Sequence, residues 1–158
     1  MEVDAMLCDF VQAAGNKLFV NGGGINRSWV QPEPPHRIKL GLAAVVHVPY
    51  TATNQPHKVT ISLITEDGNP VVPHVPDGMP DPDPVEVTAT FNIGRPPILV
   101  PGETQDWSFA VNLELDLRQL GGYKFVISID GSEAKNLPLR VDVMPPGMNL
   151  IQPQAAAS

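Results

Sequence analysis

The four histidines of this chain, His36, His47, His57 and His74, are the side chains best suited to bind a metal ion or to transfer a proton. A zinc site needs three or four ligands at close spacing, typically with a cysteine pair or with two histidines one helical turn apart. None of the histidines has such a spacing, and no serine lies in the Gly-x-Ser-x-Gly elbow of a hydrolase. We therefore predict no catalytic residue, no metal and no cofactor.

Two further groups of reactive side chains favour a structural interpretation. Asp77, Asp81, Asp83 and Glu86 could offer oxygen atoms to a calcium ion, but their spacing differs from that of a 12-residue EF-hand loop. The prolines between them also restrict wrapping around an ion, so we interpret this stretch as a solvated acidic loop. The single cysteine, Cys8, lies in an apolar segment with no neighbouring cation, which favours a buried, unreactive thiol.

Binding to a partner is predicted for three loops, at 21–26, 50–56 and 94–97. Loops that are carried by a rigid β-sandwich commonly contain the recognition residues. The guanidinium of Arg95, between a glycine and a proline, is expected to be a fixed and exposed donor for a carboxylate. The candidate binding residues outside the C-terminal segment are Trp29, Tyr50, Asn54 and Arg95.

The C-terminal segment, residues 144–158, is rich in proline, glutamine and alanine. Its apolar side chains Met148, Leu150 and Ile151 are candidates for docking on a groove or on a sheet edge. Disorder is the alternative, because chain termini are often loosely held.

The elements that must position these residues are strands. The clearest is 121–131, in which Tyr123, Phe125, Ile127 and Ile129 alternate with more polar residues and therefore share one face. The segment 36–48 alternates in the same way, and Gly41 and Ala43 give it an outer face of small side chains. A second layer could rest on that face, or the strand could bend there.

Three local assignments remain open or competing. Residues 3–14 are predicted as a strand, with a short helix over 4–13 as the competitor, and 17–20 is predicted to pair back on it as a hairpin. Residues 114–120 are predicted to form one helical turn. The glycine run 22–24 is interpreted as a bulge or strand crossing, because it lacks the flanking elements of a phosphate-binding loop.

About eight such strands, separated by turns rich in proline and glycine, predict an all-β antiparallel β-sandwich of the immunoglobulin-like type, with a closed barrel as the alternative. The 18 prolines fit short strands joined by many loops. Tyr123 is a candidate for a tyrosine corner, and Phe125 stands where the second disulfide cysteine would be, so no disulfide is expected. We predict one domain over 1–143, followed by the tail 144–158.

The acidic composition and the absence of long apolar runs restrict the setting. A formal net charge of −7 and a pI near 4.9 disfavour nucleic acid and anionic membrane surfaces as partners. No apolar run approaches the roughly 20 residues of a membrane span. The acidic N-terminus is unlike that of a signal peptide, so we expect a cytoplasmic protein.

Several turn and strand motifs are shared with a known group of proteins: Leu7-Cys8-Asp9, the run from Gly15 to Val20, Gly22-Gly23-Gly24, Asn54-Gln55-Pro56-His57, Gly94-Arg95-Pro96-Pro97, and Gly122-Tyr123 with Phe125. On these motifs the chain resembles a family of short, functionally uncharacterised bacterial proteins, largely actinobacterial, over about residues 3–143. The resemblance implies a β-sandwich and a cytoplasmic setting, and it implies no activity.

Three functions are compatible with these features. We rank first a non-enzymatic protein-interaction or self-association module that uses loops, a sheet edge or the tail. A small-ligand or carbohydrate-binding domain with Trp29, Tyr50 and Arg95 lining one site comes second. A metal-dependent enzyme that uses histidine and aspartate side chains comes last.

Overall fold

The computed structural model describes residues 1–147 and shows an all-β chain with no α-helix in that range. The predicted fold class is confirmed, with ten strands in place of about eight. A 3₁₀ turn, Tyr50–Ala52, follows the fifth strand. The strands are β1 Glu2–Cys8, β2 Phe10–Ala14, β3 Lys17–Asn21, β4 Arg27–Val30, β5 His36–Pro49, β6 Pro56–Thr65, β7 Glu86–Asn92, β8 Thr104–Leu117, β9 Gly121–Ile129 and β10 Ser132–Val143.

Two sheets form the sandwich, and a hairpin lies outside it. Sheet I has the order β1-β5-β8, sheet II has the order β4-β10-β9-β6-β7, and β2 pairs with β3 alone. All neighbouring strands are antiparallel except β4 and β10, which run parallel. The free thiol of Cys8 leaves the described chain without a disulfide.

The core lies between the two sheets and is made by the inward faces of their strands. In β9, Tyr123, Phe125, Ile127 and Ile129 are buried, as the period-two pattern predicts. Burial of each such side chain stabilises the fold by about 1.5–3 kcal/mol.

The two ends of the sandwich carry different loops. We call the end at which β5 finishes, at Pro49, the loop end, and the end at which β10 finishes, at Val143, the tail end. The pairing of Pro49 with Thr104 places the start of β8 at the loop end, and that of Val141 with Gly121 places the start of β9 at the tail end.

The hairpin β2–β3 is the second layer that covers the small outer face of β5. Cys8, Val11 and Ala43 form a separate buried cluster beneath it. The side chain of Asn112 accepts a hydrogen bond from the Val11 amide (3.1 Å) and donates one to the Val11 carbonyl (2.8 Å), and so ties the hairpin to β8. Burial, with the nearby charge of Asp9, raises the pKa of the Cys8 thiol. The buried interpretation of Cys8 is confirmed.

Two local predictions are wrong or incomplete. The predicted helical turn at 114–120 is absent, because β8 continues to Leu117 against β5. Its alternation of Leu113, Leu115 and Leu117 with acidic residues satisfies the strand period, and Arg37 of β5 pairs with Asp116. The segment 3–14 is extended, but it divides into β1, which pairs with β5, and β2, which pairs with β3.

The tyrosine corner is confirmed. The hydroxyl of Tyr123 donates a hydrogen bond to the carbonyl of Gln119, four residues upstream. Within the described chain, no helix is long and apolar enough to cross a membrane.

Candidate interaction surface at the loop end

Three of the predicted binding residues lie together at the loop end. Tyr50 begins the 3₁₀ turn after β5, Asn54 follows that turn, and Arg95 lies in the connection between β7 and β8. The guanidinium of Arg95 stacks on the Tyr50 ring, with its central carbon 3.9 Å from the ring centre. The loops 50–56 and 94–97 therefore form one unit.

Arg95 donates hydrogen bonds to its own chain from two of its three guanidinium nitrogens. Its Nε donates to Thr53 Oγ1 and its Nη2 donates to the Tyr50 carbonyl, each at 2.8 Å. Its backbone amide donates to Asn54 Oδ1 at 3.0 Å. The guanidinium is therefore fixed and exposed, as predicted, and it fastens the two loops to each other. Its role as a donor for a partner's carboxylate stays a prediction.

The rest of this connection is held by two consecutive turns. The Leu99 amide donates to the Pro96 carbonyl (3.0 Å), and the Glu103 amide donates to the Val100 carbonyl (3.1 Å). The Glu103 carboxylate accepts a hydrogen bond from the Val100 amide (3.0 Å), and its carbonyl accepts one from Tyr50 (3.1 Å). The loop thus has a defined backbone conformation without belonging to a sheet.

Large apolar side chains project from this fixed loop into solvent. Ile98 is 87% exposed and Val100 is 53% exposed. Neither contributes to the core, so their burial against another molecule would be favourable. We define the end surface as Pro49, Tyr50, Ile98, Val100 and Pro101.

Two open cavities adjoin each other within the end surface. One of 240 Å³ lies between Pro49, Tyr50 and Pro101, and one of 330 Å³ lies beside it, next to Met1 and His47. Pro49 and Thr104 line both cavities, so the two form one trough.

A buried histidine anchors the 3₁₀ turn that supports Arg95. Nδ1 of His57 lies 2.7 Å from Asp130 Oδ2, and its Nε2 lies 2.7 Å from the Ala52 carbonyl. Both partners are acceptors, so the geometry fits an imidazolium that donates from both nitrogens.

Opposing influences act on the pKa of His57. Burial of the ring is the largest and lowers the pKa, but the hydrogen bonds to Ala52 and Asp130, with the Asp130 charge, outweigh it and raise the pKa above its ordinary value. The pKa of Asp130 is lowered, first by the hydrogen bond from the Lys58 amide and then by His57.

His47 shows a similar arrangement on the outer face of sheet I. Its ring nitrogens lie 2.7 Å from Asp4 Oδ2 and 2.6 Å from Asp106 Oδ1. The hydrogen bonds to Asp4 and then Asp106 raise the pKa of His47. The three side chains cross-link β1, β5 and β8. Within residues 1–147, no group of three or more His, Cys, Asp or Glu side chains could hold a metal ion.

The remaining predicted residues lie elsewhere. Trp29 lies in β4 at the tail end, where it pairs with Asp142 of β10. The Arg27 guanidinium lies 5.4 Å from the centre of the Trp29 ring. A single site lined by Trp29, Tyr50 and Arg95 is therefore not formed. The loop 21–26 also lies away from the loop end, because the Gly24 amide bonds to the Leu7 carbonyl. Met148, Leu150 and Ile151 lie outside the described residues.

Sequence reasoning missed Ile98, the most exposed large apolar side chain of residues 1–147, and its neighbour Val100. Ile98 and Val100 stand in a short apolar stretch between prolines, which is the signal that could have identified them, because prolines exclude that stretch from a sheet. Phe10 and Phe19, on the outer face of the hairpin, are also about half exposed. The acidic loop carries an ion pair between Asp81 and Arg118.

Comparison with known proteins assigns a family to the chain. Residues 3–142 match a family of unknown function (DUF6941). The chain belongs to this family. No curated protein matches it. The family membership covers the whole sandwich and supplies no activity, so the function must be inferred from the surfaces described above.

Proposed function

We propose that the protein is a non-enzymatic interaction and assembly module that binds a protein partner through its end surface. The observation that carries this proposal is Ile98, a large apolar side chain that is 87% exposed on a loop with a fixed backbone. Exposed apolar groups on a mobile loop lose conformational entropy when they bind. The hydrogen bonds of Arg95 and Glu103 reduce that cost before the partner arrives.

The charge distribution supports a partner that is bound mainly by apolar contact. Nε and Nη2 of Arg95 donate hydrogen bonds within their own chain, and the Glu103 carboxylate accepts one from the Val100 amide. Hydrophobic contacts around one well-placed side chain commonly provide most of the binding energy of an interface. We therefore expect Ile98 to be the energetic centre of this one.

Affinity capture with a single-residue variant tests the proposal. Ile98→Asp should remove at least one protein that the wild-type chain captures from its native cells, because a buried carboxylate in an apolar interface is costly. Thr88→Asp, an exposed substitution on β7, is the matched control and should retain that protein. A set of captured proteins that is the same for wild type and Ile98→Asp would contradict the role of the end surface.

The two open cavities support binding of a small ligand or carbohydrate as a second candidate function. Volumes of 240 and 330 Å³ lie at the lower limit for small-molecule sites. A small ligand or carbohydrate in the trough should raise the melting temperature, because ligands that bind only the native state stabilise it. Thermal shift against metabolite and glycan panels, with Thr104→Arg as the blocked control, would measure this effect.

The finer assignment of fold and setting is part of the same proposal. The strand orders β1-β5-β8 and β4-β10-β9-β6-β7, with the tyrosine corner on β9, support an immunoglobulin-like sandwich. We also propose a bacterial, cytoplasmic protein, which the resemblance described above supports.

A further inference from the structure

We propose that the partner of the end surface is the C-terminal segment of a second copy of this chain, so that copies associate head to tail. The occupant is the stretch 148–151, Met-Asn-Leu-Ile, seated in the trough between Pro49 and Thr104. This inference rests on the proposed function and names the partner of the same surface.

The reach of the chain excludes the trough of the same molecule. Strand β8 runs from the loop end to the tail end, and its 14 residues span about 45 Å at roughly 3.3 Å each. Gly147 follows the last residues of β10 at the tail end. The four residues 148–151 extend at most about 14 Å beyond it. This reach is too short for them to enter the trough of the same molecule, but they can enter the trough of a neighbouring copy.

The chemistry of segment and trough is complementary. The trough offers the apolar surfaces of Pro49, Tyr50 and Pro101, with Ile98 and Val100 on the adjacent loop. Residues 144–158 contain no Asp, Glu, Lys, Arg or His, and 148–151 include three large apolar side chains. Extended apolar segments are a common means of docking on a shallow protein surface.

Net charge favours the uncharged segment of a second copy, rather than its folded domain, as the occupant of the trough. Each chain carries a formal charge of −7, so contact between two folded domains is opposed by repulsion. The trough itself is flanked by Glu2 and Glu103. An uncharged segment can approach these carboxylates without that repulsion, and it keeps the two domains apart.

The positions of segment and trough determine the kind of assembly. The described chain ends at Gly147, after β10 at the tail end, and the trough lies at the loop end, so the contact uses two different surfaces and is heterologous. Each copy therefore offers one segment to one neighbour and one trough to another, so the expected product is an open series of oligomers. A closed dimer in which two antiparallel copies exchange segments would place two domains of charge −7 side by side, which their repulsion opposes.

Sedimentation velocity with two complementary variants of the full chain tests the inference. Wild type should show a series of species beyond the dimer as concentration rises into the millimolar range. Thr104→Arg, which fills the trough, and the double variant Leu150→Asp/Ile151→Asp, which changes the segment, should each weaken association by at least about tenfold. Thr88→Arg is the matched control for an added exposed arginine and should associate as wild type does.

Mixing the two variants provides the decisive measurement. Thr104→Arg retains an intact segment and the double variant retains an intact trough, so the mixture should form a 1:1 dimer and nothing larger. This result also shows that both variants are folded. A monomeric wild type, or a mixture that stays monomeric, would overturn the inference.

The failure of this inference is distinguishable from failure of the proposed function. If Thr104→Arg or Ile98→Asp abolishes association and the double variant does not, the end surface binds another part of the chain and the assigned segment is wrong. If wild type is monomeric and Ile98→Asp still loses a captured cellular protein, the interaction function stands and self-association is wrong.

Discussion

At both ends of the sandwich, a buried side chain donates a hydrogen bond to a backbone carbonyl of a loop. Tyr123 bonds to Gln119 at the tail end, and His57 bonds to Ala52 at the loop end. Each connects a core strand to a segment outside the sheets. Both side chains are buried, so each bond is protected from competition with water.

Replacing Tyr123 by Phe should lower the free energy of unfolding by roughly 0.5–1.5 kcal/mol, the net worth of one hydrogen bond. The ring stays in the core, so partner binding by the folded protein should be unchanged. Chemical denaturation measures the change. Tyr50→Phe removes a hydroxyl that has no hydrogen bond within the described chain and serves as the control. Equal stability of Tyr123→Phe and wild type would show that the corner bond contributes nothing.

The raised pKa of His57 predicts a pH dependence of stability. A group whose pKa is higher in the folded state contributes stability below its unfolded value, near 6.5, and loses it as pH rises through the folded value. Met1 and Asp130 are the charged groups that act on this ring, and His47 titrates separately. His57→Gln should therefore flatten the decline in unfolding free energy above about pH 6.5. His47→Gln, which leaves the His57 contribution intact, is the control, and an unchanged slope in His57→Gln would contradict the assignment.

At the scale of elements, the hairpin β2–β3 and the loop between β7 and β8 differ in how they are held. The hairpin packs on the outer face of sheet I through small residues, so its position depends on close approach. The loop has little packing of its own, and it depends on hydrogen bonds from Arg95 and Glu103. Substitutions in the two elements should therefore have different effects.

Gly41→Ala should destabilise the fold by about 1–3 kcal/mol, because the side chains of β1, β2 and β8 around this position leave no room for the added methyl group. A Cβ atom at this position would lie 2.9 Å from both Asn112 Oδ1 and Cys8 Sγ, and 3.0 Å from a methyl of Val11. Gly94→Ala is the control, since a Cβ atom there has no neighbour within 4 Å. Thermal and chemical denaturation compare the two. Comparable stabilities would indicate that the hairpin moves away at little cost.

Arg95→Gln should loosen the loop without unfolding the sandwich. Amide exchange at Leu99 and Glu103 should accelerate by about tenfold, which corresponds to the loss of one net hydrogen bond. Hydrogen exchange followed by NMR provides the measurement. Arg27→Gln, at the tail end, removes a different exposed arginine and should leave these amides unaffected. Unchanged exchange in Arg95→Gln would mean that the two turns hold the loop by themselves.

At the scale of the whole molecule, the proposed head-to-tail contact predicts assembly along the strand direction. The mixed dimer of Thr104→Arg with Leu150→Asp/Ile151→Asp should have a maximum dimension about twice that of either variant alone, from the roughly 45 Å span of β8. Small-angle X-ray scattering provides the measurement. A compact, side-by-side dimer would contradict a head-to-tail contact.

The sequence alone was sufficient for the fold class because period-two alternation is a local property. The strand 121–129, the acidic loop of Asp77, Asp81 and Asp83, and the tyrosine corner could be predicted for that reason, since each depends on neighbouring residues or on a short backbone reach. The grouping of Tyr50, Asn54 and Arg95 was anticipated only as a set of candidate loops. The contacts among these three residues form only in the folded chain, where β5 pairs with β8 and the loops at their ends lie side by side.

Tertiary structure decided the features that depend on distant residues. The alternation from Leu113 to Leu117 fits a strand, but only the pairing of β8 with β5 excluded the helical turn predicted at 114–120. The sequence predicts a fixed and exposed Arg95, but it does not reveal the bonds to Thr53 and Tyr50, because those residues lie more than forty positions away. The sequence by itself determined which side chains alternate and where the chain turns. Only the packing of the two sheets determined which polar groups bond within the chain and which apolar side chains, Ile98 above all, stay exposed to solvent.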